Sequence, residues 1–100
     1  MVKHIVFFKL SNYKSSEEKK LQLKEMDDIF SPLGKILPFI VEFKTGFNFT
    51  DVPHAWDFAI DSIFKNKEDL QKYMLSPEHI EAVRRASPIE KEKAVIDYEF

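Results

Sequence analysis

From Val2 to Leu10 the chain is mostly apolar, broken by Lys3, His4 and Lys9, and its β-branched and aromatic content predicts a strand. Val2, Val6, Phe8 and Leu10 share one side with His4, while Ile5 and Phe7 lie on the other, between Lys3 and Lys9. A strand apolar on both sides at its middle requires cover on both sides. The period then lengthens. Met26, Ile29, Phe30 and Leu33 follow the i, i+3, i+4, i+7 spacing of a buried helical stripe, which predicts a helix over 15–33. Ser15 with Glu18 fits a capping box, Glu17 and Glu18 suit the positive helix start, and Gly34 offers a stop. A second strand is predicted over 39–46, with Phe39, Val41 and Phe43 opposite Glu42 and Lys44.

After a loop rich in Asn, Thr, Asp and Pro (48–54), a third strand is predicted over 56–64. Trp56, Phe58, Ile60 and Phe64 form one face, and Asp57, Ala59, Asp61 and Ile63 the other. Asn66 can cap a short helix in which Leu70, Tyr73 and Met74 cluster. Ser76-Pro77 restarts the helix, because serine caps well and proline fits the first helical position; the new piece ends before Pro88. The last strand is predicted over 93–100, with Ala94, Ile96 and Tyr98 against Val95, Asp97 and Glu99. The order β-α-β-β-α-β is the ferredoxin-like arrangement: an α+β domain spanning residues 1–100, with an antiparallel sheet and helices on one face. The other face also carries apolar residues, and a second copy of the same sheet is its simplest cover. A homodimer through the open sheet face is therefore expected.

Composition narrows the function classes. Hydrophobic residues make up 44% of the 100, enough for a core, and the ten phenylalanines are many for so short a chain. With a formal charge of −2 and interleaved acids and bases, no basic face points to nucleic acid. The absence of cysteine excludes disulfides and thiol nucleophiles, and with two glycines a phosphate cradle has no material. The opening apolar run is too short to span a membrane, so no membrane association and a cytoplasmic protein are expected.

Several segments, taken in order, resemble the stress-responsive A/B barrel family. These are the opening Met-Val-Lys-His-Ile-Val-Phe-Phe-Lys-Leu, then Gly46-Phe47-Asn48, Trp56-Asp57-Phe58-Ala59, Tyr73 through Ser76-Pro77-Glu78-His79, and the closing Val95-Ile96-Asp97-Tyr98. The resemblance implies a dimeric α/β barrel in which two ferredoxin-like sheets face each other. It leaves activity open, since most members have no assigned reaction. One plant branch is a polyketide cyclase using a pocket between helices and sheet, and related dimeric barrels include cofactor-free monooxygenases.

The candidate chemistry lies in His4, Tyr73 and His79. At about the third position of the last helix, His79 meets a positive helix end that disfavours an extra proton, and a neutral imidazole can serve as a general base. The stripe His79, Ala82, Val83, Ala86 turns it inward. Tyr73 lies across the Ser76-Pro77 break and can converge on that ring, and His4 enters the same space if its face lies under the helices. Each also has a plainer account, as a hydrogen-bonded core histidine or a core aromatic with its hydroxyl at an edge. In the cyclase branch the equivalents of His79 and Tyr73 act as base and hydrogen-bond donor, with the strand-one histidine supporting the pocket. This chain departs from that pattern at Phe58, where the cyclase has another histidine, and at Ser76. Val6, Phe8, Phe30, Phe58, Ile60 and Val83 are the expected pocket walls. Asp57 and Asp61 share a face without a histidine partner, so no metal is expected, and no cofactor is implied. Three readings stay open: a protein binding a small apolar or aromatic compound, a cofactor-free enzyme in the same pocket, or a structural stress protein.

Overall fold

The computed structural model describes residues 1–11 and 13–100. The elements run β1 (Val2–Leu10), α1 (Ser16–Phe30), α2 (Leu33–Ile36), β2 (Ile40–Phe47), β3 (Phe58–Phe64), α3 (Lys67–Leu75), α4 (Pro77–Ala86) and β4 (Glu90–Glu99). The four strands form one sheet in the order β2-β3-β1-β4, with every neighbouring pair antiparallel. This is the ferredoxin-like α+β architecture that the hydrophobic pattern predicts.

The core follows from strand alternation. Val2, His4, Val6, Phe8 and Leu10 of β1 are buried beneath the helices, as are Phe58, Ile60, Ser62 and Phe64 of β3. From above, α1 contributes Leu23, Met26, Ile29 and Phe30, α3 Tyr73, and α4 Ala82 and Ala86. Each long helix starts on a side-chain cap. Ser15 Oγ accepts from the Glu18 N–H at 3.1 Å, Asn66 Oδ1 from that of Asp69 at 2.8 Å, and Ser76 Oγ from that of His79 at 3.1 Å.

Several boundaries differ from the sequence reading. Helix α1 stops at Phe30 rather than Leu33, because Pro32 has no N–H to continue the ladder; a short turn of helix, α2, then begins at Leu33. Gly34 lies inside that turn instead of terminating a helix. A Cβ there would stand 2.7 Å from Phe43 Cβ, so glycine is needed for the close approach of α2 to β2. Gly34→Ala is expected to cost about 1–3 kcal/mol, since the atom it meets sits next to backbone and cannot swing away. A lowered denaturant midpoint at unchanged m-value checks this.

In β2 the register slips between Ile40 and Glu42, which buries Ile40 and leaves Val41 52% exposed, so Val41 does not share the face expected of it. Strand β3 begins at Phe58, and Trp56 lies on the loop before it, tilted over Phe7 at 6.4 Å on the opposite face. Strand β4 begins at Glu90, three residues before the expected start, and stops short of Phe100.

The second face of the sheet carries no helix. Ile5, Phe7, Ala59 and Ile63 are partly buried there, and Ile96 and Tyr98 are exposed. Ion pairs Lys3–Asp61 (2.9 Å) and Lys44–Glu42 (2.7 Å) lie on the same side.

Candidate functional site

Under α3 and α4 the three predicted rings come together. His4, 2% exposed near the start of β1, has its ring 6.1 Å from that of Tyr73, and Tyr73 lies 4.6 Å from His79. Tyr73 is itself only 1% exposed and also contacts the rings of Phe43 (6.3 Å) and Phe64 (5.2 Å). It is the hub of an aromatic cluster with polar groups on one side.

The Ser76 hydroxyl sets the spacing. It donates to the Tyr73 carbonyl at 2.8 Å and accepts from the His79 N–H at 3.1 Å, tying the end of α3 to the start of α4. The serine that departs from the family pattern thus holds both site residues by their backbones. His79 then reaches back, and its Nδ1–H donates to the Met74 carbonyl at 3.1 Å. That bond selects the tautomer in which Nε2 carries the lone pair.

Burial lowers the His79 pKa from 6.5, with the nearby His4 and Lys93 acting in the same direction and the Met74 carbonyl opposing them. The unfolded chain therefore binds this proton more readily than the folded one. The stability His79 contributes is complete above pH 6.5 and is lost as pH falls below it. An NMR titration of the ring should show a midpoint below 6.5; a midpoint at or above that value contradicts the burial argument. Desolvation pushes the Tyr73 phenol strongly up, so it remains a neutral hydrogen-bond donor at physiological pH.

His4 has a partner that sequence reasoning missed. Its Nδ1–H donates to the Asp97 carboxylate on β4, and its carbonyl accepts from Ser62 Oγ at 3.0 Å. Asp97 could have been found only from the register that sets it opposite His4. The Asp97 carboxylate thus orients the imidazole, and Ser62 ties the backbone of His4 to β3.

These rings border a cavity of about 60 Å³ with a mouth towards solvent, so its enclosed part takes one end of an aromatic compound and the mouth the rest. Val6, Phe8, Phe30, Ile60 and Val83 form its apolar walls, as expected from the sequence. Phe58 does not. It sits one layer away, 1% exposed between Phe8 (6.0 Å) and Phe47 (5.8 Å), where strand phase and neighbouring phenylalanines make it core. Met74, Ala86, Glu90, Lys93 and Val95 also border the cavity, and none was anticipated.

The two aspartates of β3 and its approach are accounted for structurally. Asp57 Oδ2 accepts from the Leu10 N–H at 2.8 Å and Oδ1 pairs with Lys19 at 3.2 Å, while Asp61 pairs with Lys3. Among the described residues no group of three or more His, Cys, Asp or Glu side chains could hold a metal ion. No helix of the described residues is long and apolar enough to cross a membrane.

A one-sided ferredoxin-like sheet with a largely apolar cavity beneath its helices defines the class of protein. Within it, the stress-responsive A/B barrel domain matches residues 2–100, and the chain belongs to that family. It is similar to a dimeric protein of unknown function and ferredoxin-like fold from Bacteroides fragilis, with 31% identity, a TM-score of 0.83, and coverage of 99% of this chain and 95% of that one. An uncharacterised protein of Streptomyces coelicolor is 29% identical over 79 residues, 79% of each chain. The hydroxynitrile lyase of Passiflora edulis superposes with a TM-score of 0.78 at 24% identity over 97% of this chain and 90% of its own, a likeness of fold alone.

Proposed function

We propose that the chain works as a homodimer, joined through its open sheet face, and that the helix-side pocket binds a small apolar or aromatic compound. The observation that carries the binding reading is the convergence of His4, Tyr73 and His79 on an apolar cavity that reaches solvent. Apolar walls supply affinity, and a few oriented polar groups set the pose. The pairing of sheets is supported by the apolar residues of the uncovered face and by the Bacteroides relative, which is described as dimeric.

The test is a titration with 4-hydroxybenzaldehyde, followed by two-dimensional NMR. Resonances of Val83, Ala86 and Tyr73 should shift, and His79→Ala should weaken binding about tenfold while keeping a dispersed spectrum. Absence of shifts at these positions with this and related small aromatics would leave the pocket as mere core.

A second reading, a cofactor-free enzyme, is favoured by the state of His79. Its Nδ1 is occupied by the Met74 carbonyl, no described residue bonds its Nε2, and burial disfavours the protonated ring. Such a ring can take a proton from carbon next to a carbonyl while the Tyr73 hydroxyl donates to the carbonyl oxygen that gains charge. Exchange of α-protons of a small aryl ketone with deuterated solvent, lost in His79→Ala, is the assay that separates catalysis from binding.

A further inference from the structure

In a regular strand, side chains three residues apart point to opposite faces. Glu90 and Lys93 do not, because the register of β4 against β1 slips: Leu10 pairs with Glu90, but Lys9 pairs with Glu92. Lys91 is thus the extra residue of a bulge, which resets the phase. Glu90 now lies opposite the buried Leu10 and Lys93 opposite the buried Phe8, so both belong to the helix side and both border the cavity.

Their state there is incomplete. Lys93 Nζ lies 3.9 Å from Glu90 Oε1, an ion pair beyond hydrogen-bond reach. Glu90 Oε2 is buried and has no hydrogen-bond partner among the described residues. A buried carboxylate oxygen without a donor is costly, and a carboxylate can only accept. A rotation of the carboxylate towards the cavity that Glu90 borders lets an O–H or N–H donor of a ligand remove that cost. A ligand without one leaves that oxygen unsatisfied.

We infer that the β4 bulge makes Glu90 the specificity-determining residue of the pocket, selecting small apolar-bodied compounds that carry a hydroxyl or amine donor. This rests on the binding reading above and names its ligand class. Glu90 repels anionic carboxylates, and the walls across the cavity accept the apolar body. Lys93 also borders the cavity, with its Nζ 3.9 Å from Glu90 Oε1.

The test compares two near-isosteric probes, benzyl alcohol and ethylbenzene, titrated into the full chain with NMR detection. Ethylbenzene is intrinsically the greasier, so the quantity read is the ratio of the two dissociation constants in native protein and variants. Glu90→Leu should move that ratio about tenfold in favour of ethylbenzene, and Glu90→Gln, which keeps an acceptor oxygen and the shape, about threefold in the same direction. The glutamine variant carries the test if the leucine one does not fold. An unchanged ratio in the folded variants overturns the assignment of Glu90 while leaving the pocket standing. If neither probe shifts the cavity resonances of the native protein, the binding reading falls and this inference with it.

Discussion

Tyr73→Ala is expected to remove about 3–5 kcal/mol of stability, the cost of deleting a large aromatic from a packed interior. Few residues touch so much of the core: its ring meets those of His4, Phe43, Phe64 and His79, each within 6.3 Å. Against the total of roughly 5–15 kcal/mol typical of domains, that is a large share, and Tm should fall by about 12–25 °C. Tyr73→Phe separates the two roles of the residue. It keeps the ring and removes only the donor, so stability should stay within about 1 kcal/mol of native. Binding of a carbonyl compound in the pocket should weaken. If Tyr73→Phe destabilises as much as Tyr73→Ala, the hydroxyl is a structural anchor rather than a group turned to a ligand.

Ile96→Glu should convert the protein in solution from dimer to monomer. Ile96 is 52% exposed on the uncovered face and pairs across the strands with Ile5. In a single chain a carboxylate there costs little, because it reaches water. Between two facing sheets it is buried without a partner. In the proposed two-fold dimer the substitution enters the interface twice. Dimer affinity is expected to fall by about 100-fold or more, two factors of ten at roughly 1.4 kcal/mol each. Light scattering coupled to size exclusion reads it directly. Native protein should give twice 11.8 kDa and the variant 11.8 kDa with unchanged secondary structure. A variant that stays at the doubled mass moves the interface elsewhere, and a native monomer removes it.

Much of the architecture was legible because it depends on local period and local caps. The strand period from Val2 to Leu10 sorted its residues into two faces, and Ser15, Asn66 and Ser76 marked helix starts that their own side chains make. His79 could be placed on the third residue of α4 and turned inward from spacing alone, and Tyr73 could be set across the break from it. Their convergence with His4 follows from one long-range inference, that the apolar face of β1 is the helix-covered one. Phe58 failed as a pocket wall for the same kind of reason: facing the helices decides burial, but not which buried side chain borders empty space.

The sequence by itself thus determined the fold class, the family resemblance and the three aromatic and imidazole groups of the pocket, because hydrophobic period and capping act between residues close in the chain. Tertiary structure alone decided the two register slips, the partnership of His4 with Asp97, and the arrival of Glu90 beside the cavity. A bulge changes the phase of a strand according to what its neighbour offers, not what its own residues prefer. Asp97 lies 93 positions from the ring it holds, and only the antiparallel pairing of the first and last strands closes that distance.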